Sequence, residues 1–297
     1  MSNIQTWKDM GKGEYQISPF KIEDIINQKV CLMRGDITKI FGIDCLVNAA
    51  NSGLYGGGGV DGAIHRAAGS KLHKYLKQHY NQCETGDFKP SPGFDIPCEE
   101  ILHGVGPMGK KPDLLQLVYL RCLMYMKHKN YHTIAFPCIS TGIYDYPNKD
   151  ACETVLQTLR FWLENNPDWD GYIVICCYEE KDYNIYRGRM GYYFPTNRMV
   201  TKGNKDDIKE YLTNQSTRQE NLSNEMKEMI EKNDFDEIQR IGIEIKQICD
   251  EIQQFLKQIN EDDKFDYEKD KIIRDREQFQ LLQQKEMKRM NELYPLE

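Results

Sequence analysis

The chain has 297 residues, 40% of them hydrophobic and 29% charged, enough for one well-buried domain and a smaller second unit. Its net charge of −7 argues against a protein that grips nucleic acid through clustered Lys and Arg, so backbone amides have to hold any anionic ligand. Ten cysteines without CxxC pairs, and six histidines without HExxH or close Cys/His clustering, offer neither a zinc site nor a disulfide framework and point to a reduced, intracellular chain.

In chain order, residues 1–20 lack the basic start and apolar run of a targeting segment, and no stretch reaches the roughly 18 apolar residues of a membrane span. A cytoplasmic or nuclear protein without membrane contact is expected. Short apolar, often β-branched, runs over 30–33, 44–48, 100–105, 133–136 and 171–177 read as strands. Helical patterns lie between them over 60–68, 71–80, 113–129 and 149–165, with a shorter one from Asp182. This alternation predicts a layered α/β fold with a largely parallel sheet, whose ligands bind beyond the carboxyl ends of the strands.

Asp36 follows the first strand. It can accept a hydrogen bond from an exocyclic amine or cap a helix suggested by Thr38-Lys39-Ile40, and spacing alone favours capping. The second strand ends in Asn48-Ala49-Ala50-Asn51, and four consecutive glycines, Gly56 to Gly59, lead from there into a helix opening Val60-Asp61-Gly62-Ala63-Ile64-His65. Glycines let the backbone pass close to a ligand, and the helix start adds free N–H groups and a positive dipole end, so a phosphate fits. The glycines lack both the Lys-Ser/Thr of a phosphate loop and the GxGxxG of a dinucleotide loop.

Asp61 in the first helical turn is favourable to the helix dipole; beside a bound phosphate it would be a second anion, a costly arrangement unless the carboxylate orients water. Asn51 suits ribose hydroxyls, or forms the turn before Ser52-Gly53. His65, four residues after Asp61, shares its helix face and joins that network or serves the core. A second loop, Pro137-Cys138-Ile139-Ser140-Thr141-Gly142-Ile143-Tyr144, follows the strand over 133–136 and offers hydroxyls and amides to the other side of a diphosphate, or is an ordinary strand-to-helix turn. Tyr178 ends the last strand, placed to stack on a base or to pack in the core.

Past Pro195 the composition turns to Glu, Lys and Gln. Residues 196–205 read as a polar linker. Ile238, Ile241, Ile245, Ile248, Ile252, Phe255 and Ile259 then form a narrow helical seam, Glu261-Asp262-Asp263 a turn, and 265–293 a looser second helix. A hairpin and an oligomerising coiled coil both fit, giving an appendage that packs, binds a protein partner or self-associates.

Gly35-Asp36-Ile37-Thr38, Val47-Asn48-Ala49-Ala50-Asn51, the run GGGGVDGAIHRAAG from Gly56 to Gly69 and AFPCISTGIY from Ala135 to Tyr144 together resemble the macro domain family, and more closely its MacroD-type hydrolases. The likeness covers residues 1–195, including Gly104-Val105-Gly106-Pro107 and the stretch from Tyr178 to Pro195. It implies a three-layer α/β/α fold with a mixed, largely parallel sheet, followed by an unrelated helical extension over 206–297.

By that resemblance the pocket takes ADP-ribose. Asp36 meets the adenine amine, Tyr178 stacks on the adenine, and Ile37 and Val60 adjoin the ligand. Gly57, Gly58 and Gly59 enclose the diphosphate from one side and Ser140, Thr141, Gly142 and Ile143 from the other, with Tyr144 against the distal ribose. Asn51 orients that ribose, and Asp61, supported by His65, aligns or deprotonates water. The implied reactions are metal- and cofactor-independent removal of mono-ADP-ribose esterified to protein Asp or Glu, and deacetylation of O-acetyl-ADP-ribose; the alternative is a reader that binds ADP-ribose without releasing it. The chain departs from the common pattern at Tyr55, Gly104 and Asp145.

Overall fold

The computed structural model describes residues 5–10, 18–196, 205–232, 234–260 and 262–295. Helices α1 (Trp7–Met10) and α2 (Asp24–Asn27) precede strand β1 (Val30–Arg34) and a short 3-10 turn at Ile37–Lys39. Strand β2 (Cys45–Ala49), helices α3 (Gly59–Ala68) and α4 (Ser70–His79), and strands β3 (Phe88–Pro92) and β4 (Glu100–Gly104) follow. Helix α5 (Pro112–His128), strand β5 (Thr133–Phe136), helix α6 (Asn148–Glu164), strand β6 (Tyr172–Cys177) and helix α7 (Glu180–Tyr193) complete the layered part.

The six strands form one sheet in the order β1-β6-β5-β2-β4-β3. Every pairing is parallel except β3 with β4. Side chains alternate between two cores, as a pleated strand buried on both faces requires. Val30, Cys45, Val47 and Leu102 join α5, α6 and α7 on one face. Cys31, Leu46, Ile101, Ala135 and Val174 join α3 and α4 on the other. The result is three-layered, helix on sheet on helix.

Four elements of this part differ from the sequence reading, the first two being the short helices α1 and α2, which were not expected. Strand β3 was not expected, because Pro90 and Pro92 lack the N–H that a paired strand donates; it exists as the antiparallel edge, where one side needs no partner. Helix α7 begins at Glu180 and runs 14 residues, starting earlier than the short helix expected from Asp182.

The C-terminal part has three long helices: α8 (Lys205–Glu231), α9 (Phe235–Asn260) and α10 (Asp262–Leu293). Most of the linker expected over 196–205, and Glu261 of the expected turn, lie outside the described residues, as do the side chains of Phe255 and Ile259. The isoleucine seam of α9 faces α8, in front of it, rather than the helix after it. Ile241, Ile245, Ile248 and Ile252 pack against Leu222, Met226 and Met229, whose own four-and-three spacing is masked by the polar residues around them.

Helix α10 docks on α5 and α6 through a heptad of Ile272, Phe279 and Glu286, followed by Met290. Phe279 meets Phe161 edge-on at 5.6 Å. Glu286, only 4% exposed, accepts from Arg121 Nε at 2.8 Å and Nη2 at 3.1 Å and lies 3.4 Å from Arg289. Burial pushes the Glu286 carboxyl up, but the bonds from Arg121 and the charges of Arg121 and Arg289 outweigh it and hold the group below the usual carboxylate range. Its stabilising contribution is therefore complete above the ordinary glutamate value of about 4.3 and is lost as pH falls through the lower folded value. Glu286→Gln is expected to cost about 2 kcal/mol in urea unfolding at neutral pH, and the difference from wild type should close on acidification.

Candidate active site

The carboxyl ends of β1, β6, β5 and β2 lie side by side along one rim of the sheet. Asp36 follows β1, Tyr178 follows β6, the loop from Ser140 to Tyr144 follows β5, and Asn51 with the glycines follows β2. Parallel pairing thus collects at one edge segments far apart in the chain.

The chain leaves β2 through a tight path with Leu54 at φ 57, Gly56 at φ 80 and Gly59 at φ 60, the left-handed region that favours glycine. Helix α3 backs directly on this loop, since a Cβ on Gly62 would stand 2.3 Å from the Gly57 carbonyl oxygen. Across from it, a Cβ on Gly58 would meet Ile143 Cδ1 at 3.0 Å, whereas Gly59 and Gly142 face open space. The two loops are opposing walls of one cleft, with α3 starting at its floor.

Asp61 sits behind the glycine wall and is 5% exposed. Its Oδ1 accepts from Asn48 Nδ2 at 2.7 Å and its Oδ2 from Asn51 Nδ2 at 3.1 Å; the Asn51 amide also reaches the Gly56 carbonyl at 3.1 Å. Burial raises the Asp61 carboxyl above the usual aspartate range, with the Asn48 bond, His65 and the Asn51 bond pulling the other way.

The sequence reading missed Asn48 as a partner of Asp61, and with it the residues behind it. His103 on β4 is the register partner of Asn48 and lies 3.1 Å from its amide through Nδ1, while His103 Nε2 lies 2.9 Å from Ser91 Oγ on β3. Burial holds His103 down to about 3, so it is neutral at physiological pH. The available signal was an amide inside an otherwise apolar, fully buried strand, which has to be hydrogen-bonded to something.

His65 reaches Asp61 less directly than expected. Its Nε2 lies 3.4 Å from Oδ1 but is not aligned for a hydrogen bond, and the ring packs on Gly56, where a Cβ would be 3.1 Å from Cγ. Burial lowers its basicity, partly offset by Asp61.

The other expected residues divide by what their atoms already do. Asn51 Oδ1 and Ser140 Oγ are buried without a hydrogen-bond partner, and Ser140 Oγ faces Gly106, where a Cβ would stand 2.2 Å from it. Thr141 Oγ1 instead donates to the Cys138 carbonyl at 3.1 Å. Asp36 caps the 3-10 turn, its Oδ1 accepting from Thr38 N at 2.9 Å and Thr38 Oγ1 at 2.7 Å. The Ile37 side chain is buried and that of Val60 half-buried, both against the α3 core, so any ligand contact by Ile37 falls to its backbone. Tyr178 is 72% exposed, an aromatic face open to stacking. The Tyr144 hydroxyl is pushed up by burial, then by the nearby Asp61 and Tyr55, which marks the Asp61 end of the cleft.

A family profile described as Macro domain matches residues 47–155. The chain is 43% identical over 204 residues to the Mus musculus protein named ADP-ribose glycohydrolase MACROD1, covering 66% of this chain and 62% of that relative's length. It is 36% identical over 173 residues to the Cronobacter turicensis protein named O-acetyl-ADP-ribose deacetylase, covering 56% of this chain and 97% of that one. Among solved structures, the Trypanosoma brucei macrodomain in complex with ADP-ribose is 34% identical with a TM-score of 0.52, over 63% of this chain and 79% of that one.

The Asp61 environment has a direct readout. Carbon-detected NMR of the Asp61 carboxyl should give a titration midpoint above the ordinary aspartate value of about 3.9. Asn48→Ala, which removes the strongest bond to the charged form, should move that midpoint further up.

Proposed function

This chain belongs to the macro domain family, and we propose that it is an ADP-ribosyl hydrolase that frees mono-ADP-ribose from ester linkage to protein Asp or Glu and also deacetylates O-acetyl-ADP-ribose. The observation that carries this reading is the buried, doubly hydrogen-bonded Asp61 directly behind the glycine wall. The names of the two relatives, a glycohydrolase and a deacetylase, support it.

In this reading the diphosphate lies between the glycine loop and the Ser140 loop, where Gly59 and Gly142 leave room and the start of α3 supplies amides and dipole. The adenine lies toward Asp36 and Tyr178 and the distal ribose toward Asn51 and Tyr144. The free Asn51 Oδ1 accepts from a ribose hydroxyl while its amide stays on Asp61.

Water crosses the ester. Its hydroxyl goes to one product and its proton to the other, yielding free ADP-ribose and a carboxylic acid. Asp61 orients that water and takes up positive charge as the O–H bond loosens; its raised affinity for a proton makes it a better base than an ordinary aspartate. Most of the gain is positional, because the carboxylate, Asn51 and the diphosphate fix the water between them.

A binding module without chemistry would gain nothing from Asp61. A buried carboxylate next to a bound diphosphate weakens affinity, so its place here favours turnover over mere recognition.

The test is release of ADP-ribose from a protein esterified on Glu or Asp. Asn51→Ala and Asp61→Ala should each lower kcat by about 100-fold or more while still binding free ADP-ribose. Unchanged turnover in Asp61→Ala would sink the assigned chemistry.

A further inference from the structure

Beyond the two loops and Asp61, one exposed aromatic residue stands between Asn51 and the glycine run. Tyr55 is 67% exposed, yet its ring has a built seat. A Cβ on Gly53 would stand 2.4 Å from Tyr55 Cε1, 2.5 Å from Cδ1 and 3.5 Å from Asn51 Oδ1. The missing side chain of Gly53 is thus the space in which the Tyr55 ring lies, close to the Asn51 oxygen that the hydrolase reading assigns to the distal ribose. Leu54, buried and left-handed at φ 57, anchors the turn and directs Tyr55 outward.

The opposite side of this opening carries exposed apolar groups as well. Ile143 projects from the second loop. The Gly109 amide donates to the Tyr144 carbonyl at 2.8 Å, which holds Met108, also exposed, beside Tyr144. Ile143 reaches Gly58 of the glycine wall, and Tyr144 lies near both Asp61 and Tyr55.

We propose that Tyr55 is the acceptor-side specificity residue of this pocket, contacting the polypeptide that bears the ADP-ribosyl ester and making the site favour protein-linked esters over the acetyl ester. This rests on the hydrolase reading for where the ester lies. The size of the two acyl groups makes the distinction. An acetyl group ends in one methyl at the ester and does not extend to the rim, whereas a Glu or Asp side chain continues into backbone and neighbouring residues that pass over it. An exposed tyrosine suits such a contact because it offers a broad apolar face with few rotatable bonds and a hydroxyl at its edge. Tyr55 acts on the acceptor alone and is not required for placing water.

The test uses the full chain carrying Asp61→Asn, in which the ester survives, with and without Tyr55→Leu. The affinities of a glutamate-linked ADP-ribosyl peptide and of free ADP-ribose are measured for each. We expect the peptide to bind more tightly than free ADP-ribose, and Tyr55→Leu to weaken the peptide about tenfold, the usual scale for an aromatic interface residue, while leaving ADP-ribose within about twofold. With Asp61 intact, the single Tyr55→Leu change should likewise lower kcat/KM on the protein ester and spare O-acetyl-ADP-ribose. An unchanged ratio of peptide to ADP-ribose affinity overturns the proposal. Because the affinity ratio needs no turnover, that failure is distinguishable from failure of the hydrolase reading, which would appear as wild-type chain releasing ADP-ribose from neither ester.

Discussion

A carboxylate withdrawn from water has to be met by donors, and for Asp61 both come from one short stretch of chain, Asn48 inside β2 and Asn51 just past its end. An unmet carboxylate at this depth would take up a proton or force the helix away from the sheet. The consequences spread outward. Asn48 must occupy the α3 face of β2, which fixes the strand's register. His103 must stand opposite it on β4, and Ser91 behind that on β3. A chain of polar groups thus crosses three strands to the sheet's edge, so the geometry at the cleft depends on strand pairing well away from it.

The same economy governs the proposed anion site. The chain is net negative, and the proposed diphosphate position is walled by backbone rather than by arginines and lysines. Amides of a tight loop and of a helix start are fixed by the fold, whereas long basic side chains would have to be ordered for each binding event. Gly62 serves this arrangement from inside the helix: without a Cβ there, α3 comes close enough to the loop for Asp61 and the glycine wall to share one site. The fold here and the carboxylate's position are consequences of that close approach.

Much of this was legible in the sequence, and what was not failed for identifiable reasons. The glycine run, Asp61 and the Ser140 loop stand out because they break an otherwise regular alternation of strand and helix. Asn48 and His103 do not. Each sits in a strand that reads as apolar, and only the register that sets them side by side gives them a role. Strand β3 was hidden by Pro90 and Pro92, which are tolerated only because the strand lies at an edge. The α9 seam was visible, but its partner was not. The apolar residues of α8 are few and widely set, and the heptad of α10 carries a glutamate where an apolar residue is expected, because Arg121 waits opposite it.

Helix α10 also bears on how the molecule meets its own copies. Arg289 pairs with Asp87 at the start of β3, and Tyr294 stacks on Phe88 with ring centroids 6.1 Å apart. An outer strand with open backbone groups is a template for pairing between molecules, and here prolines and a helix end both obstruct it. The same helix covers Phe161 and Tyr125. A polypeptide ending at α7 would present this aromatic surface and strand edge to water together, making the C-terminal helix a guard of colloidal stability as well as a part of the fold.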